Sequence, residues 1–269
     1  MCGRYVLVQK IEVIEQRFNV TTASEFIFEP SYNISPGDLA PVITCESPRI
    51  LQSFRFGLTP FWAKKRMYLF NARVEGDRNK DNDPNYIGAK DIIIKPAFRK
   101  PIRQQRCLIP ADAFIEGTTD EGLSNPFLVH LQNKERPFAF AGIYDSWINP
   151  ETQILEYGFS IITTTANDLM QKIPHHRCPV ILPRYAEKIW LKKEAHLTDL
   201  LKLLVPPDAN RMNAFPISQA IKNPKVKDKS LIQPTGKPLQ AEMTLKTHQE
   251  LRLEGMGNRN RQSDTKKQS

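Results

Sequence analysis

The chain has 269 residues, 40% hydrophobic and 25% charged, an ordinary composition for a folded domain and enough length to bury a sizeable core. No apolar run reaches the roughly 18 residues that cross a bilayer, and the first residues lack the basic-then-apolar pattern of a secretion signal, so a membrane role is set aside and a cytoplasmic location is expected. A formal net charge of +9 fits either a soluble basic surface or a polyanionic partner, nucleic acid first, while four scattered cysteines without a Cys-x-x-Cys pair argue against a disulfide framework or a structural zinc site.

A strand is expected over the opening "RYVL". From Lys10 to Val20, Ile11, Ile14 and Phe18 recur at helical spacing and predict a short amphipathic helix. The pattern then turns to β: "APVITC", "ILQSFRFGL", "RCLIPADAF", "PFLVHL", "FAFAGIYDSW" and "YGFSIITTT" are short runs of apolar, aromatic and β-branched residues, with prolines and glycines between them. So many strands without a helix after each predict an α+β protein, a mainly antiparallel sheet or barrel-like core with peripheral helices. Helix returns in "AEKIWLKKEAHLTDLLKLL", Ala186 to Leu204. Asp77 to Asn85 reads as a polar loop. No boundary shows before about Gln233, so residues 1–234 are read as one domain and 235–269 as a polar C-terminal extension, disordered at its end.

Four places have chemical potential, and each has a structural alternative. Cys2 is a small second residue, or, once Met1 is removed, a free aminothiol whose amine (pKa ~8) and thiol (~8.5) are both nucleophiles. In "NARVEG", Asn71 turns the chain, or its amide orients a bound group while Arg73 holds an anion in its planar fork. In "RCLIPADAFIEG", Glu116 faces water, or is desolvated between apolar neighbours and shuttles protons near neutral pH. In "IPHHRCPVIL", His175 and His176 are a solvated pair, or one of them is an acid or base; their spacing from Cys178 fits no familiar metal site. No metal and no cofactor are expected. Basic residues also crowd Lys64 to Arg106, with Phe56, Phe61, Trp62, Tyr68 and Phe70 among them, either core rings or platforms on which unpaired bases stack.

In order, "MCGRY", "YNISPG", "FRFGLTPFW", "NARVEG", "RCLIPADAFIEG", "FAFAGIYDSW", "IITTTAN" and "HHRCPVIL" resemble the SOS response-associated peptidase (SRAP) family, the abasic-site shield proteins. The resemblance runs from Cys2 to about Pro234. It implies single-stranded DNA containing abasic sites as partner, and a covalent thiazolidine link from the amine and thiol of Cys2. It implies that Asn71 holds the linked sugar or ring, that Glu116 exchanges protons with the amine, and that His175 acts on the sugar oxygen. By the same match Thr163 contacts sugar or phosphate, and Arg4 and Arg73 bind phosphate. An associated lyase activity and removal of the chain's own leading residue are further implications of the family and its name.

The match departs from the family at three places. Gly117 stands where a tryptophan is usual, "HHRCP" replaces His-Asp-Arg-Met-Pro, and Phe56 replaces a tryptophan. Two other readings compete: an N-terminal-nucleophile amidohydrolase, which would also begin Met-Cys-Gly, and a non-catalytic single-strand-binding module in which Cys2 is incidental.

Overall fold

The structure, a computed structural model, describes residues 2–26, 28–132 and 135–241. Five strands close into a barrel. Leu155–Thr165, Phe138–Ile148, Arg106–Ala111, Leu39–Thr44 and Ile50–Phe56 pair antiparallel in that order, and Ile50–Phe56 then meets Leu155–Thr165 in parallel, Phe56 opposite Phe159. A second, antiparallel sheet runs Met212–Pro216, Gly122–Leu131, Ala113–Thr118, Arg4–Leu7, Ser31–Ile34. The α+β expectation, with a barrel-like core and peripheral helices, is met. The parallel contacts are the one feature the antiparallel reading lacks.

"RCLIPADAF" is two strands joined at a corner. The chain leaves the barrel at Ala111 and enters the second sheet at Ala113. Between them, Asp112 Oδ2 accepts from the backbone of Val8 (2.7 Å) and Gln9 (3.2 Å), pinning the N-terminal strand to the corner. Tyr5 of that strand packs edge-on against Phe56 and Phe140 of the barrel, with ring centroids 5.5 and 6.0 Å apart. Burying each such ring contributes ~1.5–3 kcal/mol, so the second sheet, and with it Cys2, is tied to the barrel by packing.

The first helix spans Ile11–Phe18 and turns Ile14 into the core. The late helical segment is broken into Arg184–Leu191 and Leu197–Lys202. Arg106 sits at the break. It lies in the basic run that the charge argument gave to phosphate, yet it is 0% exposed. Its Nε donates to Trp190 O (2.9 Å) and its Nη2 to Lys192 O (2.7 Å), drawing off carbonyls that a continuing helix would use. Arg106 is therefore a core residue. Asp77–Asn85 forms turns closed by the Asn79 side chain on the backbone of Asp83, as the polar-loop reading expects.

Thr235 and Leu239 still bond the backbone of Met212–Pro216, at 2.9 and 2.8 Å, so the described chain stays packed to that point. The expected disordered end of the extension lies outside the described residues. No described helix is long and apolar enough to cross a membrane.

Candidate active site

Four separate stretches converge where the second sheet abuts the barrel: Cys2 to Arg4, the short strand Asn71–Arg73, the strand Ala113–Thr118, and the link from helix Asp168–Lys172 to strand Arg177–Pro179. Asn71–Arg73 is held by parallel pairing to Leu155–Thr165, with Asn71 opposite Ile161 and Arg73 opposite Thr163. Arg4 pairs with Ile115, which brings Glu116 beside the start of the chain. A groove of about 340 Å³ opens here, its walls including Arg4, Phe70, Glu116, Gly117, His175 and His176.

Cys2 is 1% exposed. Burial pushes its thiol well above the ordinary range, and the nearby Glu116 carboxylate pushes it the same way, so at neutral pH the sulfur is protonated. Its carbonyl accepts from Asn71 Nδ2 at 2.9 Å, and the same amide nitrogen donates to Phe70 O at 3.0 Å. Two carbonyl partners fix which end of the amide is NH2. The buried Oδ1 has no partner among the described residues and remains an acceptor.

Burial pushes Glu116 up to about 7, and it pushes His175 down to about 4. Glu116 Oε2 and His175 Nε2 are 3.4 Å apart. The other ring nitrogen, Nδ1, meets two groups of one residue: the carbonyl of Arg177 at 2.9 Å and its N–H at 3.3 Å. The nearer carbonyl makes Nδ1 the protonated nitrogen, so Nε2 offers a lone pair to Glu116. An acid half-ionised near neutrality thus faces a neutral imidazole acceptor, a pair built to pass one proton.

His176 stacks on His175 with centroids 5.0 Å apart, and burial also depresses it to about 4. Thr119 Oγ1 donates to Pro174 O at 2.8 Å and lies 3.1 Å from His176 Nδ1. With its proton committed to Pro174, the hydroxyl accepts from His176 Nδ1, leaving Nε2 of His176 as an acceptor too.

Arg4 lines the groove, steadied by Asn33 Oδ1 and Lys222 O, each at 2.9 Å. Arg73 leans on Glu75 Oε1 (3.5 Å) and donates to Asn79 O, near enough to His176 for its charge to lower that histidine's pKa. Thr163 is the exception. It is buried between paired strands, opposite Arg73 on one side and Pro179 on the other, and its hydroxyl accepts from Arg177 Nη2 at 3.2 Å. The family match assigns it a contact with DNA; the structure puts it behind the site.

Two residues that the motifs leave without a role sit with it. Glu75, 2% exposed, and Arg177, 1% exposed, form a two-pronged buried ion pair. Glu75 stands in a run of charged residues and Arg177 follows two histidines, so neither has a local signal of burial. The aromatic set also divides. Phe56 is core, whereas Phe61, Trp62 and Tyr68 are 56%, 50% and 47% exposed, with Lys100 4.9 Å from the Phe61 ring. Position 117 admits no side chain, because a Cβ there would lie 1.9 Å from Gly122 O across the hairpin.

A closed barrel and a second sheet that bring an acid and a histidine into one groove, with a buried cysteine hydrogen-bonded to an asparagine behind them, define a cysteine-centred site at the chain's amino end. The chain belongs to the SOS response associated peptidase (SRAP) family, whose pattern matches residues 1–224. Abasic site processing protein YoqW of Bacillus subtilis (strain 168) is 37% identical over 240 residues, 87% of this chain and 99% of that one. Abasic site processing protein HMCES of Gallus gallus is 28% identical over 211 residues, 67% of this chain and 60% of that one. A crystal structure of a protein from Bacteroides thetaiotaomicron superposes with a TM-score of 0.72 at 27% identity, over 87% of this chain and all of that one.

Proposed function

We propose that this chain processes abasic sites in single-stranded DNA, and that it captures them covalently through the α-amine and thiol of Cys2 after Met1 is removed. The observation that carries the reading is the buried Glu116–His175 pair, 3.4 Å apart, beside Cys2. The relatives named for abasic-site processing support it from a second direction.

In an abasic nucleotide the sugar is a cyclic hemiacetal. His175 Nε2 accepts the C1′ hydroxyl proton as the ring opens to the aldehyde and passes it to the ring oxygen, which leaves as a hydroxyl. The α-amine adds to the carbon. Glu116 gives a proton to the departing oxygen, which leaves as water, and a Schiff base forms. The Cys2 sulfur then adds to the same carbon and its proton ends on nitrogen. One water is lost in all, and the product is a five-membered ring that only a terminal aminothiol can make. Thiol addition competes with β-elimination from the Schiff base, so capture and lyase chemistry share an intermediate. Asn71 Oδ1 accepts from the new ring nitrogen or the opened sugar hydroxyl. Arg4 and Arg73 hold neighbouring phosphates, and Thr163 serves from behind by bonding Arg177.

Intact mass spectrometry after incubation with an abasic oligonucleotide tests the reading. The expected species lacks Met1 and is heavier by the oligonucleotide minus one water. Cys2→Ser is expected to lose the heat-stable adduct and keep salt-sensitive binding to single strands. A Met1-free protein that binds the oligonucleotide and never forms an adduct overturns covalent capture in favour of a binding module. Glutamine hydrolysis without DNA capture points instead to an amidohydrolase.

A further inference from the structure

The tautomer of His175 is balanced on one peptide unit. Arg177 presents both its carbonyl, 2.9 Å away, and its N–H, 3.3 Å away, to the same Nδ1. If the carbonyl wins, Nδ1 carries the proton and Nε2 accepts toward Glu116. If the N–H wins, Nδ1 accepts and Nε2 becomes a donor toward Glu116, which favours the carboxylate and removes the acid. The two contacts differ by a few tenths of an ångström, so whatever holds the Arg177 peptide in place chooses the chemistry of the pair.

The Arg177 side chain supplies the hold. Its Nη1 meets Glu75 Oε1, its Nη2 meets Glu75 Oε2 at 3.2 Å, and the same Nη2 reaches Thr163 Oγ1 at 3.2 Å. Residue 177 is also paired with Thr165 at the barrel's edge. A buried ion pair contributes little net stability against an apolar pair of similar size, since desolvating both charges offsets their attraction. What it does supply is fixed geometry, because a guanidinium fork on a carboxylate permits one arrangement.

We propose that Glu75 and Arg177 are positioning residues, whose buried pair holds the Arg177 peptide so that His175 is protonated on Nδ1 and its Nε2 faces Glu116 as an acceptor. The groups that surround the acid and the histidine are Cys2 and the amino terminus from the start of the chain, Cys178 and Arg177 from the strand behind, and His176 alongside. Glu75 also touches Arg73, so one carboxylate contacts both that arginine and the side chain that holds the base of the proton-passing pair.

The test replaces the pair by Glu75→Met with Arg177→Met, which removes both charges together and leaves no single buried charge. The first readout is the 15N shifts of the His175 ring nitrogens, which report the tautomer without DNA and so do not depend on the abasic-site reading. The wild type is expected as the Nδ1–H form, and the folded double variant as a mixture or the Nε2–H form. The second readout rests on that reading: the pH profile of adduct formation is expected to shift to lower pH, with a rate at neutral pH lower by about tenfold or more. Should the double variant fail to fold, Arg177→Lys keeps a charge on Glu75 but loses the fork and is expected to show the same changes in milder form. A folded variant with the wild-type tautomer and pH profile overturns the proposal. A changed tautomer in a protein that never forms an adduct keeps the positioning role and overturns only the abasic-site reading.

Discussion

Asn71 donates from its amide nitrogen to the carbonyl of Cys2 across 2.9 Å, which fixes the backbone of the reactive residue and leaves the amide oxygen buried with no partner among the described residues. A buried acceptor without a donor is unfavourable in the free protein and becomes satisfied when a ligand N–H or O–H arrives. Asn71→Ala is therefore expected to slow adduct formation about tenfold, from loss of one hydrogen bond to the ring or sugar and loosening of Cys2. Asn71→Asp, which cannot donate to the Cys2 carbonyl, is expected to be slower still. Single-turnover rates by denaturing gel check both. An unchanged rate for Asn71→Ala removes it from the site.

Glu116 and the two histidines give stability opposite pH slopes. Glu116 titrates near 4.5 when free and is raised to about 7 in the fold, so its contribution is full below 4.5 and is lost as pH rises through 7. His175 and His176 move from 6.5 to about 4, so theirs is full above 6.5 and is lost as pH falls through 4. The windows overlap between 4.5 and 6.5, where two histidines outweigh one carboxyl, so chemical denaturation between pH 4 and 8 is expected to show stability rising to a maximum near 6.5 and a smaller loss from there to about 7. In Glu116→Gln the alkaline loss disappears and the acid loss stays. The same substitution is expected to slow capture by about 10²–10⁴-fold, the range of general acid–base catalysis.

Gly117 is expected to resist replacement. A Cβ at 1.9 Å from Gly122 O and 2.8 Å from Leu123 N meets backbone on the opposite arm of the hairpin, which has no flexible end to give way. Gly117→Ala should lower the melting midpoint by several degrees, and Gly117→Trp should disrupt the hairpin rather than supply a stacking ring. A stable, fully active Gly117→Trp protein would show that the hairpin opens more readily than its packing indicates.

The basic run from Lys64 to Arg106 separates by exposure. Lys64 and Lys65 are exposed, whereas Arg106 is enclosed. Lys64→Ala with Lys65→Ala is expected to weaken single-strand binding and flatten its salt dependence, by about 0.7 in the log–log slope for each phosphate no longer neutralised. Arg106→Met is expected to destabilise the fold by roughly 2–4 kcal/mol through the carbonyls it abandons, with the salt slope unchanged. Binding isotherms at several salt concentrations separate the two.

The barrel was legible because its strands are short apolar runs with punctuation between them, and Cys2, Asn71, Glu116 and His175 were singled out because their motifs occur in a known order; the structure brings the four close together. Two kinds of information were hidden. One is which charges face inward: Arg106 reads as part of a phosphate-binding run, and Arg177 and Glu75 carry no reading at all, until the carbonyls and carboxylate that hold them appear from stretches tens of residues away. The other is lateral pairing. Thr163 lies in an apolar strand beside two polar segments, and only the pairing to Arg73 and Pro179 shows that both its flanks are covered. Parallel closure of the barrel through Arg55 and Phe56 has no local signal either, since it depends on strands far apart in the chain.

The protonated, enclosed state of Cys2 has a consequence for how long the protein stays ready. Peroxides and haloacetamides attack thiolates that they can reach, and this sulfur is neither ionised at neutral pH nor open to solvent. In the capture proposed above, an aldehyde delivered on a DNA strand would be met first by an amine, and the sulfur would join only after the carbon is tethered beside it. A site so arranged would be quiescent toward the oxidants that erode DNA and awake only to the lesion they leave behind.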